Sequence, residues 1–387
     1  MNDDDFGTLL LRPLAGDPAG SPRVDVQRAM REGRRMRHRR RWSGFAALVA
    51  ALTAALVTGS LALAPASTGP KPRPTLPPEP AVPAACTGSP LPDGGHRAVT
   101  VTGGDSTGRW HVGTAAPNAG DKGPMLIWHD GKLVAQIAPP NGDATLHDIN
   151  SSGVAVGSNN SAWDTYPFVY RNGKIERLKG GRGVASAIND SGEIVGTIGV
   201  NNRHPVRWKS ADAEPETLPM PPGATIQFVL DVAPDGWISG MYLSDTYVWS
   251  PDGQVRKLAP PSPDGVFRPG PESFGFGWLY GVSLRDGVSR YEPRTGTWQH
   301  LTDAGHKAQF PGTGAGDAQV TGADELSVFV GREVLRLGGN PIAGRSGTYS
   351  FEITAISADA HVVAGYGLST HADPKAQPER PFIWRCR

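Results

Sequence analysis

The sequence predicts an all-β domain made of repeated four-stranded sheets, and three observations carry that prediction. Short β-prone stretches run into glycine at Gly113, Gly157, Gly196, Gly240, Gly281, Gly322 and Gly365, with gaps of 44, 39, 44, 41, 41 and 43 residues. The stretches between them hold turn residues and no helical periodicity. The 50 glycines and 36 prolines of this 387-residue chain are also not scattered, since from about residue 95 onward glycine recurs at hairpin turns and strand ends. Units of about 40 to 50 residues with several short strands each are the mark of a β-propeller, and the glycine spacing predicts seven blades.

Ahead of the repeats come three further segments. Arg28, Arg31, Arg34, Arg35, Arg37, Arg39, Arg40 and Arg41 precede an uncharged run of 21 residues from Gly44 to Ala64. As a helix that run would reach roughly 32 Å, enough to cross a hydrocarbon core of about 30 Å. Phe45, Leu48, Val49, Leu52, Leu56, Val57, Leu61 and Leu63 favour insertion, while Thr53, Thr58, Gly59 and Ser60 oppose it. Only Lys71 and Arg73 follow closely, so the positive-inside rule puts the N-terminus in the cytoplasm and the repeats outside, with 44–64 as a signal anchor. A cleaved secretory signal ending at Ala64-Pro65-Ala66 competes with this reading. A charged leader of some 43 residues exceeds ordinary signal-peptide dimensions, however.

Residues 65–85 hold Pro65, Pro70, Pro72, Pro74, Pro77, Pro78, Pro80 and Pro83, and read as a polyproline stalk of about 3.1 Å per residue. The expected order is therefore a basic cytoplasmic tail (1–43), a transmembrane helix (44–64), a proline-rich stalk (65–85) and a propeller ectodomain (86–387). Net charge of +1 says little by itself, but its crowding into the tail does. Arginines beside a span are expected to contact anionic lipid headgroups, which makes nucleic acid the weaker reading of this run.

Within the repeats, Asp148-Ile149-Asn150-Ser151-Ser152-Gly153 aligns with Ala187-Ile188-Asn189-Asp190-Ser191-Gly192 and Asp231-Val232-Ala233-Pro234-Asp235-Gly236. Each is a strand end followed by a turn. A second strand, a polar loop, and an aromatic-ended third strand follow, as in Pro124–Trp128, Pro167–Tyr170, Pro205–Trp208, Tyr247–Trp249 and Pro381–Trp384. A glycine-containing turn then leads a fourth strand, as at Asn172-Gly173 and Asp252-Gly253. This pattern resembles the extracellular repeats of the HAF family over about 96–387, most closely at 146–178 and 186–208. His204-Pro205-Val206 stands near that family's histidine-alanine-phenylalanine step and departs from it at two of three positions. The resemblance implies an extracytoplasmic propeller from a high-GC bacterium and transfers no catalytic residue; its motif residues read as packing and turn chemistry.

The last repeat stops after its third strand. The segment 84–91 precedes the first repeat's opening strand and can supply the missing one, closing the ring and removing an exposed edge. Cys86 lies on that segment and Cys386 on the last third strand, so a disulfide across the seam is expected, in an oxidising exterior.

Catalytic signals are weak. Gly104-Asp105-Ser106-Thr107-Gly108 matches a hydrolase nucleophile pattern but sits at a hairpin turn, without the strand-elbow-helix setting. Gly312, Gly314 and Gly316 lack the context of a phosphate loop. The ten histidines include no pair at helical spacing beside a carboxylate; His111 and His361 fall on second strands that closure makes neighbours, where packing is the expected role. Asp148 and Asp231 occupy equivalent first-strand positions, but two carboxylates are not a mechanism. No enzyme, cofactor or metal is expected.

Binding is better supported. The loops between second and third strands at 114–123, 158–166, 197–204 and 368–380 open on one face, and carry Asn160, Trp163, Asp164, Tyr166, Arg203 and His204 as ligand-binding candidates. The expected role is a membrane-anchored binding module for a cell-surface protein or glycan. A signal relay whose tail contacts a regulator such as a sigma factor, and an extracellular hydrolase or lyase, remain as alternatives.

Overall fold

The computed structural model describes residues 78–116, 123–159, 165–199, 204–224, 226, 228–262, 265–283, 287–302, 308–309, 319–320, 326–338, 349–369 and 379–387. The basic tail, the apolar run 44–64 and most of the stalk lie outside them, as do Asn160, Trp163, Asp164 and Arg203. Among the described residues no helix is long and apolar enough to cross a membrane.

Alternation sets the strands. In Ala98–Gly104 the side facing the neighbouring sheet is buried and the other is partly open, residue by residue. Five blades then follow in chain order, each of four antiparallel strands: A (98–137), B (144–177), C (183–217), D (228–257) and E (274–302). Blade F consists of Tyr349–Ile356, Val362–Ser369 and Arg380–Cys386, completed on its outer side by Cys86–Pro90 and joined on its inner side by Gln319–Val320. In sequence between E and F lies a sheet of Ala308–Gln309, Leu326–Val330 and Glu333–Gly338, whose first two strands pair in parallel.

Six blades of four or more strands thus stand where seven were expected, and the seventh place holds a three-stranded sheet among the described residues. The repeat around Gly322 explains the difference. Its leading stretch, Pro311-Gly312-Thr313-Gly314-Ala315-Gly316, has no alternating apolar face to bury and little β-propensity.

Each sheet packs on the next. Val112, Met125 and Ile127 of blade A meet Leu146 and Phe168 of blade B. Tyr280 and Val288 of blade E meet Phe329 of the three-stranded sheet, and Val328 and Leu335 of that sheet meet Phe351 and Phe382 of blade F. Ala364 and Ile383 of F meet Val99 and Val101 of A, which closes the circle. Burying such side chains stabilises by roughly 1.5–3 kcal/mol each. This is a β-propeller.

The aromatic ends of the third strands act as pins. Trp128, Trp208, Trp249 and Trp384 are fully buried. Three of them donate an indole N–H to the connection entering their own blade: Trp128 to Pro92 O at 2.8 Å, Trp208 to Lys179 O at 2.9 Å and Trp249 to Pro219 O at 2.7 Å. The turn asparagines latch one blade to the next. Asn150 Oδ1 accepts from the Ser152 and Val154 amides, while its Nδ2 donates to Asn189 O at 3.2 Å; Asn189 Nδ2 in turn donates to Ala233 O at 3.3 Å. The expected turn at Asp105–Gly108 forms likewise, with the Asp105 carboxylate accepting from the Trp110 amide at 2.7 Å.

The seam forms as the sequence predicts. Cys86 pairs directly with Cys386 across the strands, and their sulfurs are bonded at 2.03 Å. Upstream, the described end of the proline-rich segment lies against the propeller. Glu79 ion-pairs at 2.5 Å with Arg290, which is fully buried and stacks 4.1 Å from the Trp278 ring, and it also accepts from the Arg332 amide at 3.1 Å.

Candidate functional site

The glycine period that announces the blades also builds the channel at their centre. In blades A, B, C, D and F the second-strand glycine faces a first strand that carries one extra residue just beyond the pairing: Gly113 opposite Val101, Gly157 opposite Leu146, Gly196 opposite Ala185, Gly240 opposite Val229 and Gly365 opposite Ile353. The first strand presses close at each point. A Cβ on Gly157 would come within 2.0 Å of Thr145 O, on Gly196 within 2.0 Å of Val184 O, and on Gly113 within 2.1 Å of Thr100 O. Only glycine fits there. A bulge re-aims the inserted side chain, and the inserted residues, Thr102, His147, Ser186, Leu230 and Thr354, all line one cavity.

That cavity, about 450 Å³, opens on the face of the disk that carries the second-to-third-strand loops, called here the loop face. Its walls are rich in hydroxyls. His147 Nε2 lies 2.9 Å from Ser158 Oγ, and burial pushes the imidazole down to about 4, so it is neutral at neutral pH. The Tyr366 hydroxyl donates to Glu352 Oε2 at 2.5 Å, and burial followed by that bond raises the phenol.

A second cavity, about 380 Å³, opens on the opposite face, among the first-to-second-strand turns. The two abut where consecutive residues face different mouths: His147 and Asp148, Leu230 and Asp231, Pro271 and Glu272. Here three buried carboxyl groups converge. Asp148 accepts from the Ile149 amide at 2.7 Å and from Ile188 of the next blade at 2.8 Å. Asp231 does the same with Val232 and Phe274, both at 2.7 Å. Glu272 reaches to blade A, where Gly104 donates to its Oε1 at 2.9 Å; a Cβ on Gly103 would collide with that oxygen at 2.5 Å. Burial is the main cause that pushes Asp148 up to about 8 and Asp231 up to about 6. Burial, then the charges of Asp148 and Asp231, hold Glu272 well above the usual carboxyl range. Glu272 also takes a left-handed φ of 51°, a strained backbone for a residue with a Cβ.

Of the residues that sequence reasoning named, Tyr166 and His204 lie at the loop-face ends of blades B and C, and neither lines the cavity. Tyr166 is half-buried, with the Arg177 guanidinium 4.4 Å above its ring. His204 is exposed. His111 is buried and neutral, pushed down to about 4, whereas His361 is exposed beside Asp359. Among the described residues no group of histidine, cysteine and acidic side chains is arranged to hold a metal.

The channel ring itself was missed. Thr102, His147, Ser186 and Thr354 each sit one residue past a position opposite a repeat glycine, which is a legible signal once a bulge is suspected. Glu272 offers none, since it lies in an irregular connection outside the repeat pattern.

No family profile and no curated protein matches this sequence. Solved structures do. The structure of YCF48 bound to a D1 peptide is similar over 79% of this chain and 98% of that one, at 14% identity and a TM-score of 0.50. A streptogramin B lyase covers 78% of this chain and 98% of its own, at 11% identity and a TM-score of 0.49. U3-55K covers 79% and 100%, at 12% identity and a TM-score of 0.47. At such identities the likeness to the first of these establishes the β-propeller fold and nothing finer.

Proposed function

We propose that this chain is a membrane-anchored propeller displayed outside the cell, a HAF-type repeat protein of a high-GC bacterium, that binds a cell-surface protein or glycan and catalyses nothing. The observation that carries the reading is the Cys86–Cys386 disulfide across the seam, since such bonds persist in oxidising compartments. The arginine-flanked apolar run supports the anchor. A structural role for two of the channel carboxyls supports non-catalytic binding: Asp148 and Asp231 each accept two backbone amides and so serve as staples between blades.

The test is a C-terminal alkaline phosphatase fusion of the full chain, combined with binding of the detergent-solubilised chain to washed envelope fractions. Phosphatase activity in intact cells, sedimentation with membranes and saturable retention on the envelope are expected. A silent fusion, or a chain that no envelope fraction retains, contradicts the proposal.

A further inference from the structure

The described residues expose few large apolar side chains, and three of these gather at one place. Phe228 is 49% exposed, Tyr242 37% and Leu243 65%; the remaining two, Val134 and Val334, lie elsewhere. Phe228 begins the first strand of blade D and pairs with Met241, so all three sit at its loop-face end. Leu243 caps the hairpin between the second and third strands with a φ of 52°, where glycine or asparagine is the cheaper choice. Blade D therefore holds its most exposed leucine at the tip of a tight turn that strains it.

Two hollows flank this ridge. On the inner side Phe228 lines the channel cavity of about 450 Å³. On the outer side Ser244 and Asp245 begin a cleft of about 330 Å³, floored by Leu258 and Phe267 and edged by the Asp245–Lys257 ion pair at 2.7 Å. The charge of the inner hollow has one sign. His147 is held neutral by burial, no lysine or arginine is among the described lining residues, and Glu352 is the carboxyl that lines it. Glu379 lies near Glu352, and burial, then the charge of Glu352, raises its carboxyl.

From this arrangement we infer that the loop face of blade D and the adjoining channel mouth form a docking surface for an extended peptide segment of a partner protein. Such a segment places a lysine or arginine at Glu352 and apolar side chains over Phe228, Tyr242 and Leu243. The acidic hollow selects the cation, and the ridge with its outer cleft supplies the contact area. The inference rests on the binding role proposed above and names its site and the partner's chemistry.

The test uses the full solubilised chain and four sets of synthetic twelve-residue peptides, in which lysine or glutamate is combined with leucine and phenylalanine or with serine. The set with lysine and apolar residues should bind. Tyr242→Ser with Leu243→Ser should weaken that binding about tenfold or more, as expected for a hot spot. Glu352→Gln should abolish the preference for lysine over glutamate, and Val134→Ser should change nothing. The inference is overturned by equal binding of all four sets, by binding unaltered in the Tyr242/Leu243 variant, or by no binding at all. Envelope retention that survives the Tyr242/Leu243 and Glu352 changes would reject this surface while leaving the binding role intact.

Discussion

The backbone carbonyl of Thr145 stands where a Cβ on Gly157 would be, 2.0 Å away. That closeness comes from the bulge at His147, so the glycine and the channel-facing histidine are two sides of one feature. Gly157→Ala should destabilise the fold by about 2–3 kcal/mol or prevent folding, because a bonded strand backbone cannot retreat as a side chain can. Gly173→Ala is the control: its φ of 76° is strained for alanine but nothing lies within 4 Å, so about 1 kcal/mol is expected. Urea midpoints of the two variants decide it, and equal losses would contradict the bulge explanation.

The indole pins give a second test. Trp208→Phe keeps most of the buried ring and removes the donor to Lys179 O, for an expected loss of about 1–3 kcal/mol. Trp208→Ala should lose about 3–5 kcal/mol through the cavity as well. If the phenylalanine variant unfolds at the wild-type midpoint, the pin is ornamental.

Reduction should loosen the ring at one known place. The Cys86–Cys386 bond spans 300 residues, which in the chain-entropy model stabilises by up to about 5 kcal/mol. Cys86→Ser should lower the melting temperature, remove its dependence on reductant, and let protease cut first near residues 78–90. First cleavage in another blade would argue that the seam is not the weak point.

Stability should fall on the alkaline side. A carboxyl whose folded pKa is raised keeps its proton after the unfolded chain has lost it, so its contribution is full below about 4 and is lost as pH rises through the folded value. For Asp231 that loss runs to about 6 and for Asp148 to about 8, and Glu272, raised well above its ordinary value, acts in the same sense. His111 and His147, lowered to about 4, act in the opposite sense, losing stability as pH falls from about 6.5. The two effects oppose each other below about 6.5, and above it only the carboxyls act. Unfolding free energy should therefore drop between pH 6.5 and 8, as Asp148 titrates, and Glu272→Gln should shallow that drop. An unchanged slope in that variant would mean that Glu272 ionises normally.

How much of this was legible depended on what repeats. Gly157 and Gly196, Asn150 and Asn189, and Trp208 and Trp249 recur at the blade period, and each imposes a local requirement that can be recognised without coordinates: a close approach, a turn, a buried ring. Cys86 and Cys386 could be paired because they stand at the two ends of one array. The channel was legible only through the residues one step past the repeat glycines, and Glu272 was not, because it reaches the channel from an irregular connection that no spacing announces. The expectation of seven complete blades went too far for a related reason: Gly322 keeps the period while the stretch ahead of it lacks an apolar face.

The most direct measurement is thiol labelling of intact cells with a membrane-impermeant maleimide, before and after treatment with an impermeant reductant. An oxidised seam on the outer side predicts no labelling of Cys86 at first and labelling from outside after reduction. Labelling without reductant, or only after the cells are lysed, would contradict an anchored propeller latched outside the membrane.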